Sequence, residues 1–355
     1  MRFVFKRLIL GFVLIISACA ALLLSDLGRR TTSAQNIPHI GLLQHASTLL
    51  LDEGTRGAID ALAENGFIEG KTIVIDKFNS EGDISVGNSI AKQMVNAHYE
   101  LLVTMSTLSL QAVANANRGG KTVQVFGLVA DPVAAGVGIS RTNPLDHPRN
   151  LVGIGSFLPV DSAFQIARGM FPALKRVGVA WNPAEANSRA FVEKAREVCR
   201  AMGIDLLEAN VENSNSVLEA EDSLVARGAQ ALWIGGDVTV NVATDSVISV
   251  ARRARIPVFS ITPGKPDRGT IFDYGADFYR IGKLTGNLAS RILRGADPTQ
   301  IPVTNEIPTH FVVNTTATKG LKQRWSVSRD ILRRANVIVD ESGIHNQTGI
   351  APAIQ

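Results

Sequence analysis

The sequence predicts an α/β protein of two doubly wound parallel-sheet lobes. Two observations carry this expectation. Short apolar β-type runs alternate with helix-length segments from Ile37 onward, the order that gives parallel sheets covered by helices. The alternation then recurs over residues 151–261, and 355 residues suit about two domains of roughly 150 residues each.

The first unit reads in order. Ile37 to Leu43 is a β-type run, and Leu49 to Asn65 has apolar residues at helical spacing, stopped by Asn65-Gly66. Thr72 to Phe78 alternates and is β-branched, Ser85 to Ala97 is helical, and Leu101 to Met105 is a buried strand ending at Ser106-Thr107. Ser109 to Asn117 is a helix, and Val123 to Phe126 is the next strand. The second unit repeats the layout without a residue-level repeat. Strands are expected at Leu151 to Ser156, Arg176 to Trp181, Asp205 to Ala209, Ala231 to Ile234 and Pro257 to Ile261. Helices are expected at Pro159 to Phe171, Glu185 to Met202, Val217 to Arg227 and Thr239 to Arg253. The alternation then breaks. Gly269 to Tyr274 reads as a strand, Asp277 to Leu293 as a long helix and Val303 to Val313 as extended. Lys319 to Ala335 reads as helical, and residues 341–355 as a flexible tail.

Residues 1–34 form an export leader. Arg2, Lys6 and Arg7 precede the apolar stretch from Leu8 to Leu24, and Thr32-Ser33-Ala34 offers a cleavage site. Two other readings stay open: lipidation at Cys19 after Ile16-Ser17-Ala18, and an uncleaved membrane anchor. The leader holds five basic residues and one acid. Removing them from 36 and 32 leaves 31 of each in residues 35–355, so the body has no electrostatic case for nucleic acid.

Motifs for common chemistries fail on context. Gly70-Lys71-Thr72 lies between a helix and a strand, whereas a phosphate loop needs strand, loop, then helix. Gly136-Val137-Gly138 has no following helix for a dinucleotide fingerprint. The six histidines are scattered, and no zinc or calcium pattern is present. No cofactor or metal is expected. Cys199, in a helix, reads as a small buried residue.

What remains is a set of polar residues at carboxyl ends of expected strands, where open α/β sheets take their ligands. They are Gln44, Ser106, Thr107, Asn182 with Ser188, Asp237, and Tyr274 beside Asp273. Asp131 joins them in the stretch Thr122 to Gly138, although Asp131-Pro132 also reads as a turn that starts a helix. Carboxylates suit an ammonium group, and hydroxyls with helix N-termini suit a carboxylate. The set would fit an amino-acid zwitterion in a cleft between two lobes.

Several stretches, in order, resemble the substrate-binding proteins of ABC importers of the tryptophan/tyrosine type. They are GLLQ (41–44), GAIDALAENGFIEGKTIVID (57–76), STLSLQAVANA (106–116), VADPVAAG (129–136), NLVGIGS (150–156) and RVGVAWNPAEANS (176–188). IPVFS (256–260), GTIFDYGADFYRIGKLTGNLASRILRGADP (269–298) and IPTHFVVN (307–314) follow. The resemblance implies the type I periplasmic binding protein fold, with two lobes joined by three crossing segments near Gly153, Gly275 and Ile307. Lobe I would then comprise 35–153 and 275–306, and lobe II 154–274 and 307–340. It also implies a small-molecule ligand held by hinge closure, delivery to an ABC permease in the inner membrane, a periplasmic location and a monomer. By resemblance Thr107 and Asp131 contribute from lobe I, and Asn182, Ser188 and Asp237 from lobe II. The chain departs from the family at Trp181 (usually Tyr), Val238 (usually Asn) and Ala130 (usually Thr), which alters the polar lining. The competing readings are a secreted α/β hydrolase using Asp131 or Asp237 as base, and a ligand-sensing ectodomain acting through a partner.

Overall fold

The computed structural model describes residues 37–120 and 122–347, with 16–18, 20 and 21 as a short helical piece. The expected leader otherwise lies outside the described residues, as do Cys19 and residues 348–355 of the expected tail.

The first lobe begins β1 (His39–Gln44), α1 (Leu49–Glu64), β2 (Val74–Asn79), α2 (Ile84–Asn96), β3 (Leu101–Met105), α3 (Thr107–Ala116), β4 (Val123–Val129) and β5 (Leu151–Gly155). Its inner strands are largely apolar because both faces are covered: every residue of β3 and β5 is buried. The second lobe runs α4 (Val160–Met170), β6 (Arg176–Trp181), α5 (Ala186–Met202), β7 (Asp205–Asn210), α6 (Val217–Ala226) and β8 (Ala231–Ile234). It continues with α7 (Val238–Val242), α8 (Thr244–Ala254), β9 (Val258–Ser260) and β10 (Phe272–Ala276). The chain then returns to the first lobe with α9 (Phe278–Leu293) and β11 (Thr304–Asn305). It ends in the second with β12 (Thr309–Asn314), α10 (Arg329–Arg334), β13 (Val337–Asp340) and β14 (Gly343–Asn346).

The two sheets are ordered β11-β5-β4-β3-β1-β2 and β14-β13-β12-β10-β9-β8-β6-β7. The first is parallel throughout; the second is parallel except where β12 meets β10 and β14 meets β13. In each sheet the winding reverses between the first strand of the unit and its inner neighbour, β1 with β3 and β6 with β8. These are the crevices where ligands of doubly wound sheets sit.

Three segments cross between the lobes at 156–159, at Asp277 and at 306–308, and hydrogen bonds lace them together. Glu306 N donates to Gly155 O at 2.9 Å, and Phe157 N to Asn305 Oδ1 at 2.9 Å. Asp277 N donates to Pro308 O at 2.7 Å. Two junctions lie later than the sequence suggested. Ile154 and Gly155 pair with Thr304 and Asn305 in the first sheet, and Gly275 and Ala276 pair with His310 and Thr309 in the second. Such pairing is decided by the distant partner strand, not by the run itself.

Four further expectations are corrected. β4 continues past Phe126 to Val129, with a bulge between these residues and Leu128 at a left-handed φ of 56°. The helix expected over Thr239 to Arg253 is two helices. Asn241 Nδ2 takes the Gly235 and Asp237 carbonyls, and Thr244 Oγ1 takes the Asn241 carbonyl at 2.8 Å, so the ladder is interrupted at Ala243. Of the helix expected over Lys319 to Ala335, only α10 forms. Lys322 N and Ser326 N donate instead to Arg255 O and Met170 O, while buried Trp325 stacks on Phe171 at 5.3 Å. Residues 343–346 of the expected tail are β14, paired with β13.

Helices α1 and α9 pack backbone to backbone in the first lobe. A Cβ on Gly282 would overlap the Gly54 carbonyl oxygen, and one on Gly57 would overlap the Tyr279 carbonyl oxygen. Lys283 with Glu64 and Tyr279 with Asp60 flank the contact. Cys199 is buried, and that burial pushes its thiol up to about 12, as expected of a packing residue.

Candidate functional site

The carboxyl ends of both switch-point strands face one cavity between the lobes. From the first lobe come Leu51 and Thr48 at the start of α1, Ser106 and Thr107 at the start of α3, and Leu128 and Ala130 at the end of β4. From the second come Asn187 and Phe191 of α5, Gly236 and Val238 at the start of α7, and Asn241 and Thr262. Ser156, Leu158 and Phe278 close it at the crossings. The enclosed space is about 60 Å³, narrower than most small-molecule sites.

Local chemistry explains how each wall is held. Ser106 caps α3, accepting from Ser109 N at 3.0 Å, and so starts the helix where β3 ends. Thr107 Oγ1 accepts from Ala130 N at 3.4 Å and ties α3 to the turn after β4. Across the cavity, two buried carboxylates hold the N-terminus of α7. Asp237 caps it, accepting from Val240 N at 2.8 Å, and also accepts from Asn182 N at 2.6 Å and from the Ser188 hydroxyl. Glu185 accepts from Val238 N at 2.9 Å, Thr239 N at 3.0 Å and Thr239 Oγ1 at 2.6 Å. Burial, then the charge of Glu185, raises the Asp237 carboxyl above its ordinary value. Asn187 Nδ2 donates to Gly236 O at 2.7 Å and to Glu185 Oε2 at 3.2 Å, which fixes its amide. Its Oδ1 is buried without a hydrogen-bond partner among the described residues.

Of the eight residues expected at the site, Ser106 and Thr107 line this cavity. Asp237 and Ser188 lie behind the wall, bound to each other. Gln44 is turned into the first lobe, accepting from Thr55 Oγ1 and donating to Asp52 and Ala46. Asn182 lines a neighbouring groove with His45, Asp83 and Glu212, where its Nδ2 reaches Thr239 Oγ1 at 3.0 Å. In that groove burial holds the His45 imidazole below its ordinary value, against the pull of Glu185 and Asp83. Asp131 lines an adjoining groove, also between the lobes, with Phe157, Ala186 and Arg189; it is 3.6 Å from Arg141 and caps the turn at Val133 and Ala134. Tyr274 stands edge-on to Phe311 at 5.2 Å, against the core. Trp181 is buried beside Arg196 outside the cavity lining. Among the described residues no cluster could hold a metal ion.

Sequence reasoning missed Asn187, Phe191, Asn241 and Thr262. Asn187 and Phe191 are four apart in the first turns of α5, so they share the face that follows from Ser188's neighbourhood. Thr262 and Asn241 are joined, Oγ1 to Oδ1 at 2.7 Å, across 21 residues, and no local signal marks that pair.

A match to the family described as ABC transporter substrate binding protein spans residues 39–339. The chain belongs to that family. Its structure is similar to a conserved domain protein from Vibrio cholerae, with a TM-score of 0.79 at 28% identity over 85% of this chain and all of that one. It is also similar to an ABC domain from Streptococcus pneumonia in complex with L-Trp, with a TM-score of 0.79 at 24% identity over 85% of this chain and 99% of that one. A tyrosine-binding protein of Clostridioides difficile is 28% identical over 292 residues, 82% of this chain and 83% of the relative. The fold of this binding protein is the type I periplasmic binding protein fold, with a parallel-sheet lobe on each side of the cleft. The family is a solute-binding one that works outside the cytoplasm. Among the described residues, no helix is long and apolar enough to cross a membrane.

Proposed function

We propose that this protein is the extracytoplasmic receptor of an ABC importer, capturing a small solute with an aromatic or similarly apolar body. The observation that carries the reading is the cavity itself. Both lobes contribute its walls, and its sides are mostly apolar: Leu51, Leu128, Leu158, Phe191, Val238 and Phe278. The ligands named for two of the similar proteins, tyrosine and L-Trp, support an aromatic body. Opening at the laced crossings admits the solute, and closure around it presents both lobes to a permease as a monomer. Export rests on the leader of residues 1–34.

The test is a thermal-shift screen of the purified protein against aromatic amino acids, their deaminated and decarboxylated analogues, and sugars. A ligand at a hundredfold its dissociation constant adds about 2.7 kcal/mol of stability and raises the midpoint. A saturable shift with any aromatic-bodied solute supports the reading, and none with the whole panel sinks it.

Gly236→Ala gives a second check. The new Cβ would overlap the Phe191 ring, and displacing the ring reshapes the wall of the cavity it lines. Affinity is expected to fall about tenfold or more, because a pocket of this size has no spare room. Titration calorimetry against the best ligand reads the loss, and unchanged affinity would remove Phe191 from the wall.

A further inference from the structure

The enclosed chamber, about 60 Å³, is narrower than most small-molecule sites, so a solute that enters it extends beyond it. A second space between the lobes receives the remainder. A groove of about 740 Å³ adjoins the chamber and shares Ala130 with it. Asp131 and Arg141 line the groove from the first lobe, and Ala186, Arg189 and Ala190 of α5 from the second. Phe157 lines the groove and Phe191 the chamber, and their rings lie 5.0 Å apart at the boundary.

The groove holds charge where the chamber wall has none. Among the described residues lining the chamber there is no Asp, Glu, Lys, Arg or His. Most charged side chains of the groove are engaged. Arg189 donates to Pro183 O at 2.5 Å, Lys194 pairs with Asp161 and Glu197, and Glu193 lies in the field of Arg196. Asp131 and Arg141 are held more loosely. Asp131 Oδ1 accepts from Val133 N and Ala134 N, which fixes the carboxyl next to Ala130 at the chamber's edge. Its Oδ2 has only Arg141, at 3.6 Å, beyond hydrogen-bond reach. Arg141 itself makes no hydrogen bond among the described residues, and its side chain is 72% exposed against 21% for Asp131. An exposed pair of this kind adds little to the fold and is easily opened.

An α-amino acid carries the complementary two charges on one carbon. Its ammonium is a donor for Asp131 Oδ2, and its carboxylate matches the planar fork of a guanidinium. We propose that Arg141 grips the carboxylate of an amino-acid ligand and releases Asp131 Oδ2 to the ligand's ammonium, while the apolar side chain passes Ala130 into the chamber. One loose ion pair is thereby exchanged for two hydrogen-bonded ones. Closure brings α5 over them and takes water away, which strengthens both. The proposal rests on the receptor reading above and deepens it: the solute is an amino acid, and Arg141 selects for its free carboxylate.

Three ligands that differ by one charged group test this by titration calorimetry at pH 7: L-tryptophan, tryptamine, which lacks the carboxylate, and 3-indolepropionate, which lacks the ammonium. The parent is expected to bind L-tryptophan about tenfold tighter or more than either analogue. Arg141→Gln is expected to weaken L-tryptophan and 3-indolepropionate about tenfold and to leave tryptamine within about twofold. Arg141→Lys keeps the charge without the fork and is expected to recover part of the loss. Both variants should melt with the parent, because the residue stands in an exposed loop. Arg141→Gln binding L-tryptophan as the parent does, or losing all three ligands alike, overturns the inference and leaves the receptor standing. So does a parent that ignores all three yet responds to another aromatic-bodied solute in the thermal screen. No response to any solute overturns both.

Discussion

Gly282→Ala is expected to lower the unfolding midpoint by roughly 5 °C, a loss of about 3 kcal/mol for a chain of this size. The reason is geometric. The added Cβ meets a backbone oxygen, Gly54 O, not a side chain that could swing away. Relief therefore requires α9 to move off α1 as a body. That movement strips apolar contact from Leu288, Ala289 and Ile281, all buried in the same core. Circular dichroism melts of parent and variant check it. A midpoint within about one degree of the parent would show that the helices slide apart at little cost. Gly57→Ala meets Tyr279 O across the same interface, so the double variant should lose less than the sum of the two.

Above neutral pH, replacing Glu221 is expected to make the protein more stable. Glu221 lies on α6, is 0% exposed, and neither carboxyl oxygen has a hydrogen-bond partner among the described residues. Burial pushes its carboxyl up to about 8, and the nearby backbone of Ala180, which makes no full hydrogen bond to it, offsets only part of that. The sign follows from linkage. An acid whose folded value is raised holds its proton more tightly in the fold than in the unfolded chain. Its contribution is fully present below the unfolded value of 4.5 and is lost as pH rises through about 8. The slope in that window is about 1.4 kcal/mol per pH unit, several kcal/mol in all. Glu221→Leu fills a similar volume among Val217, Leu224 and Leu232 and removes this share of the slope. Urea midpoints from pH 5 to 9 should fall more steeply for the parent than for the variant, which keeps the fall due to Asp237. Parallel curves would mean that Glu221 finds a polar partner on the way.

The fold was legible because β3, β6 and β8 are mostly apolar runs bounded by polar residues, as covered parallel strands require. Ser106 and Thr107 were legible for the same reason: a polar pair directly after a buried strand falls at the crevice. Asp131 followed the same rule and lines the adjoining groove between the lobes. β4 runs three residues beyond Phe126 and bulges at Leu128, and one extra residue turns the following side chains away. Asn187 left no such trace. Its place is fixed by Gly236 and Glu185, and the first of these arrives 49 residues later. The helix expected over Lys319 to Ala335 failed because its donors are claimed by Arg255 and Met170, carbonyls that no local window contains.

The return of the chain to the first lobe has a consequence for biogenesis. α9 covers β3, β4 and β5 and packs along α1, and β11 completes the sheet edge beside β5. Residues 37–155 alone thus lack the helix that covers one face of their sheet. During synthesis that face stays uncovered until the chain has been made past Asn305. The second lobe waits longer still, for β12 and β13. Both halves therefore receive their last strands late and nearly together, so neither sheet is complete until almost the whole length exists. For a protein destined for export, premature folding on the wrong side of the membrane is delayed by connectivity alone.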